Sequence, residues 1–188
     1  CDRIVQDIYG DRATVVRPTY VVGPGDRTDR FTYWAVRAQR GGDIVCPAGR
    51  DVEVQWIDVR DLAYWMIALG ENDTAGVFNG VGPASPLSNE QCMRALRAFT
   101  AAPTQLYWPT TELLNEIGFP TPMFGPEDES IHVDSSAAVA SGMTYRTLAD
   151  TVRDTLEWWQ SQPEERRANP RRWPTAEQEA AVLARLKG

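Results

Sequence analysis

"ATVVRPTYVVGPGDRTDRF", residues 13–31, carries the reading of this chain. A short apolar run rich in β-branched residues opens it, and Pro18 closes that run because proline cannot donate to a sheet ladder. The chain resumes as "TYVV" and breaks again at Gly-Pro-Gly, so a strand ends in a loop whose backbone is tightly restricted. Such a loop leaves N–H and C=O groups unpaired at the carboxyl end of a sheet, the edge where open α/β sheets bind ligands. On these grounds a plain strand-to-helix connection is an equal reading.

Working downstream, Phe31, Trp34, Ala35 and Ala38 fall at i, i+3, i+4 and i+7, which predicts a helix from near Thr28 to Gly41-Gly42. "DIVCP" and "VQWID" read as short strands separated by a turn at Ala48-Gly49. "DVRDLAYWMIAL" is a helix start, with Asp58 as cap, Asp61 in the first turn, and Leu62, Trp65, Met66 and Leu69 as the buried stripe. Asp58 and Asp61 suit capping better than paired acid–base chemistry. "GVFNG" is a further strand. Ser88 to Gln91 has capping-box spacing ahead of an apolar face formed by Cys92, Leu96 and Phe99.

"TQLYWP" then reads as a strand and "TTELLNEIG" as a helix closed by Gly118, before the proline-dense loop "FPTPMFGPEDES". A short helix in "DSSAAVASG" precedes "RTLADTVRDTLEWWQ", where Leu148, Val152, Leu156 and Trp159 share one face and Trp158 is left half outside. Past Pro163, "EERRANPRRWP" reads as a charged, solvated linker to a last helix capped by Thr175. Two units are expected, residues 1–162 and a linker with terminal helix at 163–188. Alternating strands and helices, without repeats or low-complexity tracts, place the first hundred residues in the α/β class.

Composition narrows the functions. With 188 residues and 43% apolar content the chain can bury a core, and its net charge of −7 disfavours nucleic acid and anionic membrane surfaces as partners. Nothing approaches the ~18 consecutive apolar residues of a membrane span. Cys1, Cys46 and Cys92 are too scattered for a disulfide framework or a metal site, which suggests a reducing, cytoplasmic setting. His132 is the only histidine and reads as a hydrogen-bonded structural residue, and the only lysine is Lys187. "PEDES" reads as a solvated loop rather than a cation site. Neither "GVFNGVGP" nor any other stretch has Gly-x-Gly-x-x-Gly spacing. Ile4, Val5 and Ile8 before Gly10 look like the end of a helix, and the chain starts without Met, so it reads as a piece of a longer protein.

In order, "ATVVRPTYVVGPGDRTDRF", "VQWIDVRDLAYWMIAL", "GVFNG" and "HVDSSAAVASGMTYRTLADTVRDTLEWW" resemble the second half of an extended short-chain dehydrogenase/reductase, of the NAD-dependent epimerase/dehydratase family, across about residues 1–160. The resemblance implies the last part of a Rossmann-type doubly wound sheet plus a small mixed α/β substrate-binding subdomain. It implies hydride transfer at a hydroxyl or carbonyl carbon, with NAD or NADP as cofactor of the parent protein. In that family the amino-terminal half holds the Gly-rich fingerprint and a Tyr-x-x-x-Lys pair. Here none of the six tyrosines has lysine four residues later, so no catalytic residue is assigned and the chain alone is not expected to bind the dinucleotide.

By the same resemblance, backbone groups of Pro18, Thr19, Tyr20 and Val21 lie beside the nicotinamide. Tyr20, Arg30, Trp34, Gln55 and Trp56 line the substrate, although Trp34 and Trp56 read equally well as core. Nucleotide-sugar epimerases carry a diphosphate-clamping arginine at the start of "R-D-Y-I-H-V", where this chain has Val54 in "VQWIDV", so a small or largely apolar substrate is expected, with Arg30 and Arg60 the alternative phosphate contacts. The expected partners are a small-molecule substrate and the missing amino-terminal half, with oligomer formation left open. A non-catalytic cofactor-sensing or protein-binding relative is the alternative function.

Overall fold

The computed structural model describes residues 2–100, 102–124 and 132–188; Cys1 and the "PEDES" stretch at 126–130 lie outside the described residues. In chain order the elements are α1 (Asp2–Tyr9), β1 (Thr14–Pro18), β2 (Tyr20–Val22), α2 (Arg30–Arg40), β3 (Gly42–Val45), β4 (Glu53–Asp58), α3 (Val59–Glu71), β5 (Gly76–Gly80) and β6 (Gly82–Ser88). There follow α4 (Asn89–Arg97), β7 (Thr104–Tyr107), α5 (Thr111–Ile117), α6 (Ser136–Ala140), α7 (Leu148–Ser161), α8 (Glu164–Ala168) and α9 (Ala176–Lys187). The fold is α/β, as expected.

Pairing is mostly parallel. β1 lies along β5, β2 along β4, and β3 along β7, while β6 closes the β2–β4 sheet as an antiparallel strand on β4. Between β1 and β2 the chain changes sheets. Pro18 stands opposite Gly80 of β5, and two residues later Tyr20 stands opposite Trp56 of β4. Thr19 is the point of transfer.

Two apolar clusters cover the faces of the β2–β4 pair. One gathers Val22, Phe31, Trp34, Val54, Trp56, Met93, Leu96, Phe124 and Val152. The other holds Ile57, Leu62, Trp65, Leu69 and Phe78, with Val21 packed against it. Alternation along β2 and β4 sends successive side chains to opposite clusters, as a pleat requires. The capping residues behave as their spacing predicts: Asp58 accepts from the Arg60 amide, and both Ser88 and Thr175 complete capping boxes.

Three local expectations need correction. Met66 is 48% exposed rather than part of the α3 stripe, because Leu62, Trp65 and Leu69 already fill the core-facing side. Phe99 lies beyond the end of α4 and is 37% exposed, so Cys92 and Leu96 alone form the buried face with Met93. β6 was not legible as a strand, since Pro83 and Pro86 suppress ladder donation; the strand lies at the rim of its sheet, where a missing N–H is tolerated.

The stretch read as a solvated linker is instead packed. Residues 164–168 form α8, and Trp173 stacks 5.3 Å from Trp159 and 5.6 Å from Tyr33 while its indole N–H donates to the Asp29 carbonyl. α9 inserts Val182, fully buried, among Val45, Ala48, Leu114 and Phe119. Its Glu179 pairs with the buried Arg37 of α2 at 2.7 Å. Tryptophan and arginine in a charged stretch can serve packing as well as solvation, and sequence composition does not separate the two.

Candidate active site

The Gly-Pro-Gly loop is constrained because of what it passes. Gly23 adopts φ +110°, and a Cβ there would sit 3.2 Å from the Asp58 carboxylate, so both the conformation and the space require glycine. Beyond it, Asp26 folds the loop onto the start of α2. One of its oxygens accepts from the Thr28 amide (2.9 Å) and hydroxyl (2.7 Å), and the other from the Phe31 amide (3.2 Å) and the Thr32 hydroxyl (3.3 Å). The buried carboxylate is thus satisfied by the free amides of a helix N-terminus.

Asp29, the residue before α2, is left-handed at φ 57° and fully buried. Its carboxylate caps nothing locally. It accepts instead from the Arg166 guanidinium and, at 2.7 Å, from the Arg171 amide. The C-terminal segment therefore anchors the turn from which Arg30 projects.

Against this loop opens a cavity of about 420 Å³. Its walls come from Thr19 and Tyr20 at the sheet change, from Arg30, from Val52 to Gln55 of β4 and its approach, and from Asn89, Met123, Phe124 and Val133. The register of β4 on β6 shifts between Val54 and Trp56, with the extra residues in β6, and both Val54 and Gln55 line the cavity. Val133 joins the wall from a segment, 132–134, that is tied to the sheet. His132 Nδ1 is 2.9 Å from Glu53 Oε2, and Asn79 donates to the Asp134 carbonyl at 2.9 Å. A smaller depression of about 290 Å³ lies along the Gly-Pro-Gly loop and shares Thr19 and Arg30 with it.

Of the five residues expected to line the substrate, Tyr20, Arg30 and Gln55 are at the cavity, and Trp34 and Trp56 are not. Trp34 is fully buried, its indole N–H donating to the Pro122 carbonyl, and Trp56 is 4% exposed within the same cluster. Large apolar surface drew both rings inward, the packing alternative weighed for them from sequence. Gln55 lines the wall but its amide is committed: Nε2 donates to the Val133 carbonyl at 3.0 Å, and Oε1 accepts from the Val133 amide at 2.8 Å. It holds Val133 against β4. Met123, Phe124, Glu53 and Val133 were not singled out from sequence. The "MF" pair inside a proline-rich loop was a usable signal, since apolar side chains in a loop need a surface to cover.

The other arginine considered for phosphate is unavailable. Arg60 pairs with Asp58 at 2.8 Å and with Asp154 of α7. Burial pushes the Asp58 carboxyl up, but hydrogen bonds from the Arg60 side chain and amide and from the Thr151 hydroxyl outweigh it and leave the group below its ordinary value. Arg146 completes the cluster at 2.8 Å from Asp61. This network ties α3 to α7, and none of its members lines the 420 Å³ cavity.

A dinucleotide fits these residues only in part. The change of sheet at Thr19 falls at the carboxyl end of β1, where Thr19 lines the cavity, and the proline-fixed backbone around it suits a planar carboxamide. No Gly-x-Gly-x-x-Gly turn is present to seat the phosphates, and no tyrosine is followed by lysine four residues on. Among the described residues there is no cluster of His, Cys, Asp and Glu that could hold a metal, and no helix is long and apolar enough to cross a membrane.

Comparison with known proteins places the first part of the chain. Residues 2–80 match the NAD dependent epimerase/dehydratase family. No curated protein matches the chain. Among solved structures, RMD from Pseudomonas aeruginosa complexed with NADPH superposes with TM-score 0.61 at 16% identity, over 85% of this chain and 51% of that one. Pal from Bacillus thuringiensis gives 0.56 at 16%, over 85% and 50%. A GDP-L-fucose synthetase from Naegleria fowleri gives 0.55 at 16%, over 82% and 48%. These identities speak for a shared fold, and the chain spans about half the length of the structures it matches.

Proposed function

We propose that this chain, which carries the NAD-dependent epimerase/dehydratase family match over residues 2–80, is the substrate-binding half of an NAD(P)-dependent oxidoreductase or epimerase. The whole protein transfers hydride at a hydroxyl or carbonyl carbon of a small substrate. The nicotinamide, when bound, supplies the hydride donor or acceptor. Main-chain groups of Pro18, Thr19, Tyr20 and Val21 orient its carboxamide, and Tyr20 turns its ring to the substrate. Met123 and Phe124 exclude water from the opposite wall. The acid–base pair and the phosphate seat come from an amino-terminal half, in keeping with matched structures about twice as long.

The observation that carries this reading is the change of sheet at Thr19, the residue that follows β1 and itself lines the 420 Å³ cavity. Val54 in the cavity wall and the commitment of Arg60 to Asp58 and Asp154 argue against a diphosphate-linked substrate. The test is oxidation of NADH and NADPH by the complete parent protein with small carbonyl compounds and with nucleotide-linked sugars. Saturable turnover of the small compounds is expected. Turnover of nucleotide sugars alone would refute the substrate size, and cofactor binding without any turnover would favour a non-catalytic sensing role.

A further inference from the structure

Arg30 is a half-buried cation with a fixed pose and no acidic partner among the described residues. Its Nε donates to the Thr28 hydroxyl oxygen at 3.0 Å, and that hydroxyl is itself held by Asp26 at 2.7 Å. The guanidinium lies over the Tyr20 ring, 4.8 Å from its centre. These contacts orient the group and leave its terminal nitrogens free for a ligand.

The nearby acids are spent elsewhere. Asp26 is occupied by Thr28, Phe31 and Thr32, and Asp29 by Arg166 and the Arg171 amide. Glu53, across the cavity, points to His132 Nδ1 at 2.9 Å rather than to Arg30. The other half-buried or buried arginines near the site all have carboxylates: Arg37 has Glu179, Arg60 has Asp58 and Asp154, and Arg146 has Asp61. An oriented guanidinium without a carboxylate partner among the described residues, facing a cavity walled by Val54, Met123, Phe124 and Val133 with Glu53 at one side, is complementary to an anion on an otherwise apolar molecule.

We infer that the cavity takes a small compound with a single carboxylate held by Arg30, so that the substrate is a hydroxy acid or keto acid with an apolar tail. This rests on the preceding reading of the cavity as the substrate site. One cation matches one negative charge, and a planar carboxylate matches the two terminal nitrogens of a guanidinium. A diphosphate would bring a second charge with only Glu53 opposite to receive it.

Calorimetric titration of the complete parent protein without cofactor tests this, using 4-methyl-2-oxopentanoate, its methyl ester, inorganic phosphate and UDP-glucose. The keto acid is expected to bind about tenfold more tightly than the ester, the size of one lost charge-assisted hydrogen bond. Arg30→Gln should erase that advantage and leave the affinity for the ester as it was, while Arg30→Lys should keep part of it. Equal binding of acid and ester, an advantage that survives Arg30→Gln, tighter binding of phosphate or UDP-glucose, or no binding of the acid would each overturn the inference. Because no hydride transfer enters the titration, its failure is separable from failure of the turnover experiment above.

Discussion

Asp29 holds a left-handed backbone and a fully buried carboxylate that joins the turn before α2 to residues 137 and 142 positions away. Aspartate is among the few residues that tolerate this conformation, and here the side chain also completes the Arg166 and Arg171 contacts. Asp29→Ala is expected to lower unfolding stability by about 3 kcal/mol, combining a lost buried ion pair with a strained backbone, as read from urea denaturation. A change below about 0.5 kcal/mol would place it with ordinary surface substitutions and deny the anchor. The thiols offer a second check. Burial pushes Cys46 and Cys92 up to about 12, so both are neutral thiols at ordinary pH and should resist alkylation until the chain unfolds. Rapid labelling of either in the native protein would contradict their placement.

Legibility at this scale was uneven. Asp58 and Thr175 could be read as caps because their partners lie within three residues. Asp29 and Gln55 could not, because their partners are distant in the chain and nothing local announces them.

At the scale of elements, α3 and α7 are clamped by Asp58, Arg60, Thr151 and Asp154. Asp154 is held below its ordinary value mainly by the Arg60 hydrogen bond, and Asp58 is lowered on balance despite its burial. A carboxylate whose folded pKa is depressed contributes stability above its unfolded pKa, near 3.9, and loses it as pH falls through the folded value. Stability should therefore decline on acidification below about pH 4. Arg60→Ala should cost about 2–3 kcal/mol at neutral pH, since Arg146 and Thr151 still serve Asp58, and should flatten the acid limb in thermal melts. An unchanged limb would show that these carboxylates do not govern acid unfolding.

Helices and parallel strands with strong periodicity and caps were visible in the sequence. β6, with two prolines, and α8, inside a run of charges, were not, because tertiary partners rather than local propensity hold them.

For the whole molecule, the α/β class followed from the order of strands, helices and constrained loops. The cavity itself depended on long-range encounters. Val133 and Phe124 meet β4 only through the fold, and the two tryptophans expected there served the core instead. The central claim is that this chain supplies the substrate wall and the nicotinamide-facing backbone, while the dinucleotide's seat lies in another half. Titration of NADH into the isolated 188-residue chain and into the complete parent tests it most directly, with Pro18→Gly and Thr19→Ala as variants of the parent. The account predicts no micromolar binding by the chain alone and binding by the parent, weakened about tenfold by Pro18→Gly and less by Thr19→Ala, because the contact is made by a rigid main chain. Micromolar affinity of the isolated chain for NADH, or identical affinities of the parent and its Pro18→Gly variant, would contradict it.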